Sequence, residues 1–140
     1  MPSEKKPKLN ILIVEDDFMV RQVLRDILEP FGVCDVVVNG EEALQAFRIA
    51  WRNKKPYDLI CMDIMMPIMD GQEALVAIRE VEKTLGIFGA EEVKVIMVSA
   101  LDDVRTVVKA YSKGGATSYI VKPIEKERLI NELRDIGLIA

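Results

Sequence analysis

The groups best placed to do chemistry in this chain are carboxylates, one hydroxyl and one amine, each ending an apolar run. Ile11-Leu12-Ile13-Val14 leads into Glu15-Asp16-Asp17, and Leu59-Ile60-Cys61-Met62 leads into Asp63. Val95-Ile96-Met97-Val98 ends at Ser99, and Tyr119-Ile120-Val121 ends at Lys122. Burying an unpaired carboxylate is costly, so a strand that finishes on Asp63 emerges either into a site or onto ordinary surface. Singly, each residue has a plain explanation: acids begin loops and cap helices, Ser99 can be a helix cap, and Lys122 can be a solvated charge. Their recurrence at the same end of successive apolar runs is harder to explain in that way.

Carboxylates packed together repel unless a cation neutralises them. Oxygen donors without histidine or cysteine select a hard ion such as Mg²⁺, with Mn²⁺ as a substitute. Beside such an ion Asp63 can act as a nucleophile toward phosphorus, Lys122 as a point charge and Ser99 as a donor to the anionic group. The chain has no histidine. That removes Ser-His-Asp and Cys-His catalysis, His-ligated zinc and a phosphohistidine of its own. Cys34 and Cys61 show no CxxC spacing and read as small reduced core residues.

The elements that must position these groups follow from periodicity. Leu9 to Val14 is an apolar strand. From Phe18 the spacing of Val20, Val23, Leu24, Ile27 and Leu28 predicts a helix that Pro30 and Gly32 end. Val33 to Val38 is a β-branched second strand. Asn39 and Glu42 form a capping-box pattern for a helix that buries Ala43, Leu44, Phe47, Ala50 and Trp51. Asp58 to Met62 is a third strand, and Asp70-Gly71 opens a helix with Ala74, Leu75, Ile78 and Val81 on its apolar face. Thr84 to Glu92 reads as an extended loop, and Val93 to Val98 as a fourth strand. Val104, Val107, Val108 and Tyr111 mark a fourth helix closed by Gly114-Gly115. Ser118 to Val121 is a fifth strand, and Leu129, Ile130, Leu133 and Ile136 mark a last helix stopped at Gly137. Such alternation predicts an α/β fold, a parallel sheet with right-handed crossovers and helices on both faces. In an open sheet of this kind ligands bind outside the carboxyl ends of the strands, where Glu15, Asp16, Asp17, Asp63, Ser99 and Lys122 all fall.

Bulk properties narrow the function. A length of 140 residues fits one domain, 9–140, with residues 1–8 as a polar tail. A hydrophobic share of 50% beside 30% charged residues is globular rather than disordered composition. A net charge of -4 argues against a direct nucleic-acid partner. There is neither an apolar run of membrane-spanning length nor an N-terminal signal stretch, so a cytoplasmic protein without a membrane partner is expected.

Four segments together resemble the receiver domain of bacterial two-component response regulators, the CheY-like family. They are Ile11-Leu12-Ile13-Val14-Glu15-Asp16, Met62-Asp63-Ile64-Met65-Met66-Pro67 with Met69-Asp70-Gly71, Val98-Ser99-Ala100, and Tyr119-Ile120-Val121-Lys122-Pro123. They appear in the family's order over residues 9 to 136, and four motifs in register are far more specific than one. The resemblance implies a flavodoxin-like (βα)5 fold with strand order 2-1-3-4-5. It implies that Asp63 accepts a phosphoryl group, and that Asp16, Asp63 and the Met65 carbonyl hold Mg²⁺, with Glu15 acting through water. It also implies that Ser99 and Lys122 bind the phosphoryl oxygens, that Tyr119 is the switch aromatic, and that Lys122-Pro123 is commonly cis. Glu15 stands where aspartate is commoner. The second helix and the Thr84–Glu92 connection look longer than in minimal members, as a tolerated insertion. Met65 and Leu101 occupy positions that affect hydrolysis in this family; both are apolar, which predicts a long phosphoryl lifetime.

The expected function is a stand-alone phosphorylation switch, a monomer or weak phosphorylation-dependent dimer, rather than an enzyme acting on an outside substrate. Its donor is a sensor histidine kinase or histidine phosphotransfer protein acting in trans. Its output passes to a downstream protein through the fourth helix, fifth strand and fifth helix. One alternative is a phosphorelay intermediate that hands the phosphate to another histidine protein. Another is a Mg²⁺-dependent aspartyl-phosphate phosphatase, which needs an acid two residues after the nucleophile, where this chain has Met65.

Overall fold

The computed structural model describes residues 8–140. The expected tail over 1–8 therefore lies, Lys8 apart, outside the described residues. Strands β1 (Leu9–Val14), β2 (Gly32–Val37), β3 (Leu59–Met62), β4 (Lys94–Ser99) and β5 (Ser118–Val121) alternate along the chain with five helices. These are α1 (Phe18–Leu28), α2 (Gly40–Arg52), α3 (Gly71–Thr84), α4 (Val104–Lys109) and α5 (Lys126–Asp135). The strands form one parallel sheet in the order β2-β1-β3-β4-β5, as expected. Because β1 lies between β2 and β3 and is apolar from Ile11 onward, Ile11 to Val14 are fully buried, and the middle strand β3 is buried along its whole length.

Alternation splits the core across the sheet. Leu12, Val14, Ile60, Met62, Val95 and Met97 pack with Phe47 of α2 and Leu75 and Ile78 of α3. Ile11, Ile13, Cys61, Ile96 and Val98 pack on the other face with Leu24 and Leu28 of α1 and Leu129 and Leu133 of α5. Cys61 is fully buried in that second layer, and burial pushes its thiol up to about 12. Cys34 is half-buried, and burial again raises its thiol. Among the described residues no helix is long and apolar enough to cross a membrane.

Three local expectations change. Gly32 does not stop α1; a single 3₁₀ turn over Glu29–Phe31 does, and Gly32 begins β2. There a Cβ would lie 2.2 Å from the Leu9 carbonyl oxygen, so the close approach of β1 selects glycine. The stretch from Thr84 is not all loop. Thr84 completes α3, and Gly89–Glu91 forms a 3₁₀ turn between the buried Ile87 and Val93. In α2, Asn39 accepts from the Glu42 N–H at 2.9 Å, but Glu42 reaches back to the Val38 N–H at 3.0 Å, not to Asn39. Ala43, Phe47 and Ala50 are buried, while Leu44 and Trp51 are only partly buried against the core.

Candidate functional site

Each candidate residue stands at or just past the carboxyl end of a strand held in the sheet. Glu15 continues from β1, and its N–H bonds the Val37 carbonyl at 3.1 Å. Asp63 continues from β3, its N–H bonding the Val14 carbonyl at 3.0 Å, so the two acids stand on neighbouring central strands. Ser99 ends β4, and its carbonyl accepts the Lys122 N–H at 2.8 Å, which places Lys122 beside it at the end of β5. The Lys122-Pro123 peptide is cis.

The side chains converge. Lys122 Nζ donates to Glu15 Oε1 at 2.8 Å and to Asp63 Oδ2 at 3.2 Å. Asp63 Oδ1 accepts from the Ile64 N–H at 2.7 Å, and Glu15 Oε2 from the Asp17 N–H at 3.1 Å. Glu15, Asp16 and Asp63 each bring a carboxylate oxygen to within 4.8 Å of the others. Glu15 and Asp63 are buried, whereas Asp16 is exposed and faces an open cleft with Ile64, Met65, Met66, Pro67, Asp70 and Leu101. Asp17, the third acid of the run, turns away and caps α1, accepting from the Val20 N–H at 3.1 Å.

Electrostatics reflect that crowding. Burial, helped by the charge of Asp63, pushes Glu15 up to about 7, even though hydrogen bonds from Lys122 and the Asp17 N–H oppose it. Burial works to lower Lys122, but its bonds to Glu15 and Asp63 outweigh this and hold the ammonium above its ordinary value. Two buried carboxylates sharing one ammonium remain short of positive charge, and their oxygens are hard donors. The donor set therefore fits Mg²⁺.

The other expected residues lie around this centre. The buried Ser99 hydroxyl accepts from the Leu101 N–H at 3.2 Å. Tyr119 points inward at 7% exposure, and its hydroxyl donates to the Leu101 carbonyl at 2.6 Å. Met65 is 63% exposed on the cleft wall and Leu101 is partly buried opposite. Two residues passed over in the sequence also shape the site. Arg21 Nη1 donates to the carbonyls of Glu15 at 3.1 Å and Asp16 at 3.0 Å, fixing the loop that carries both acids. Gln72, in the first turn of α3, donates to the Thr106 carbonyl of α4 at 3.3 Å. The only signal for Arg21 was its place one helical turn beyond Asp17, and Gln72 gave none.

Comparisons with known proteins bear on the fold and the family. The family described as response regulator receiver domain matches residues 11–134. A chemotaxis protein CheY of Halobacterium salinarum is 35% identical over 127 residues, covering 90% of this chain and 94% of its own. The fold is similar to CheY in a CheX-CheY-BeF3-Mg²⁺ complex from Borrelia burgdorferi, with a TM-score of 0.79 and 30% identity over 91% of this chain and 88% of that one. It is also similar to a complex of the Saccharomyces cerevisiae phosphotransfer protein Ypd1 with the Ssk1 receiver domain, with a TM-score of 0.79 and 28% identity, covering 96% and 92% of the two chains. The chain belongs to the response regulator receiver domain family.

Proposed function

We propose that this receiver is a phosphorylation-dependent switch, formed by residues 9–140, in which Asp63 accepts a phosphoryl group from a histidine of a partner protein. The observation that carries this reading is the Lys122 ammonium bridging Glu15 and Asp63, 2.8 and 3.2 Å away, beside the exposed Asp16. An Asp63 carboxylate oxygen forms the new O–P bond as the P–N bond of the donor phosphohistidine breaks, and the departing imidazole nitrogen takes up a proton. Lys122 offsets charge on the phosphoryl oxygens and Ser99 donates its hydroxyl to one of them. Asp16, Asp63 and the Met65 carbonyl would hold Mg²⁺, with Glu15 acting through water. When bound, the ion supplies positive charge to the phosphoryl oxygens.

Similar solved structures support this reading: CheY in a complex with BeF3, Mg²⁺ and CheX, and the Ssk1 receiver with a histidine phosphotransfer protein. A phosphotransfer protein or histidine kinase is therefore the partner on the donor side. On the output side, Val104, Val108, Tyr111 and Val121 leave apolar surface exposed along α4, the turn that follows it and β5, a face suited to a protein partner. Incubation with acetyl phosphate and Mg²⁺ is expected to add the mass of one phosphoryl group to the protein and none to Asp63→Asn. Equal labelling of the variant contradicts the assignment.

A further inference from the structure

Helix α4 is the least anchored helix of the fold. None of Val104–Lys109 is fully buried, whereas α1, α2, α3 and α5 each bury at least two residues. Its path then widens into a π-helical turn over Ala110–Gly114, a local departure that recurs at functional sites.

The attachments at its two ends differ in kind. At the C-terminal end Arg79 of α3 donates to the Gly115 carbonyl from Nε at 3.1 Å and from Nη2 at 2.8 Å. The same guanidinium bonds the Val93 carbonyl at 2.8 Å and the buried Glu82 at 2.7 Å, and Glu82 in turn accepts the Val93 N–H at 2.7 Å. Leu75 packs so closely under Gly114 that a Cβ there would come within 2.7 Å of it. Charge-assisted bonds and close packing make this a fixed end.

The N-terminal end has a carboxylate cap of its own, Asp103 accepting the Thr106 N–H at 3.0 Å, and Leu101 and Val107 rest partly buried on the core, but its hydrogen bonds to other elements are neutral. Tyr119 donates to the Leu101 carbonyl at 2.6 Å, and Gln72 Nε2 donates to the Thr106 carbonyl at 3.3 Å. Gln72 is only 8% exposed. Its amide reaches a carbonyl that the Ala110 N–H already satisfies within the helix, so the fold does not need this bond to complete its hydrogen bonding. What the bond does is tie α3 to α4. Gln72 directly follows Gly71, whose N–H bonds the carbonyl of Ile64, the neighbour of Asp63. On the other side, Ser99 holds the Leu101 N–H at the start of the connection into α4.

We infer that Gln72 is a positioning residue, a latch that holds the N-terminal half of α4 in one of two places, while the Arg79 clamp at Gly115 is the end about which α4 pivots. The inference rests on the proposed phosphorylation of Asp63. A phosphoryl group that accepts the Ser99 hydroxyl draws that side chain toward Asp63 and away from the Leu101 N–H it now accepts, and α4 then moves only as far as the Gln72 latch lets go. A ligand that favours the moved state binds more tightly once a bond specific to the other state is removed.

Gln72→Leu keeps size and burial and removes the donor; Gln72→Met, unbranched and closer in shape, is a second variant. Amide hydrogen exchange is measured across residues 101–109 and 110–116 without ligand, and BeF3⁻ binding is titrated in Mg²⁺. Exchange over 101–109 is expected to rise by about threefold to tenfold, the factor carried by one neutral hydrogen bond, with 110–116 unchanged. Apparent BeF3⁻ affinity is expected to tighten by a similar factor. No rise in exchange, or an equal rise in both segments, overturns the latch, and faster exchange with unchanged BeF3⁻ affinity overturns its tie to the site. If the unsubstituted protein fails to bind BeF3⁻, the phosphorylation reading fails, and the exchange pattern alone judges the latch.

Discussion

At the scale of single residues, the site holds an excess of buried negative charge against one ammonium. Glu15 titrates at about 7 in the folded protein, against an ordinary value of 4.5, chiefly because it is buried. A raised carboxylate pKa means that the folded state binds the proton more tightly than the unfolded chain. Stability from this group is therefore fully present below the ordinary value and is lost as pH rises through about 7. Thermal melts of the metal-free protein in EDTA should thus show a melting temperature that falls as pH is raised through neutrality. Glu15→Gln should flatten that fall, and an unchanged slope in the variant contradicts it. The apolar Met65 and Leu101 bear on the product state. Neither orients a water against an aspartyl phosphate, so hydrolysis should be slow, and Met65→Glu should speed it by about tenfold or more. Decay of the labelled protein after donor removal checks this; rapid decay unaffected by Met65→Glu contradicts it.

The acids, Ser99 and Lys122 were legible because each interrupts an apolar run with a group that has no reason to be buried. Arg21 and Gln72 were not. A polar residue in the first turns of a helix is unremarkable in sequence, and their roles come from partners that only tertiary folding brings near.

At the scale of elements, the helix starts were readable because their caps are local chemistry. Asp70 accepts the Glu73 N–H at 2.8 Å while Glu73 accepts the Asp70 N–H at 3.2 Å, the reciprocal box its spacing implies. Gly32 misled because glycine marks helix ends more often than strand starts, and the Leu9 backbone that selects it lies on another strand. The end of α3 misled for a related reason. Gly86 suggested a loop from Thr84 onward, yet Ile87 and Val93 bury themselves and draw the segment into a compact turn. Gly71 is under a stricter constraint than its helix-opening position suggests. A Cβ there would stand 2.1 Å from the Asp63 carbonyl oxygen, so Gly71→Ala must displace the backbone that carries the acceptor. Urea denaturation is expected to show a loss of more than about 2 kcal/mol. A loss under about 0.5 kcal/mol, the range of an ordinary surface change, contradicts this.

At the scale of the molecule, the strand order β2-β1-β3-β4-β5 gathers residues far apart in sequence at one end of the sheet. A parallel sheet followed from alternation and handedness, and its strand order from the family resemblance, which is why Glu15, Asp63 and Lys122 could be grouped before any distance was known. The unequal mounting of α4, clamped at Gly115 and lightly held at Thr106, could not be foreseen, because it depends on which α3 side chains face which α4 carbonyls. On the proposed reading, that arrangement couples a phosphoryl group on Asp63 to the exposed apolar surface of α4 and β5. Everything in this coupling depends on Asp63 being the acceptor. After treatment with acetyl phosphate and Mg²⁺, borohydride reduction converts an aspartyl phosphate to homoserine, which peptide mass spectrometry locates. Homoserine at position 63 and at no other acid is the expected result; modification at Asp16 or Glu15 instead, or unchanged yield in Asp63→Asn, would contradict it.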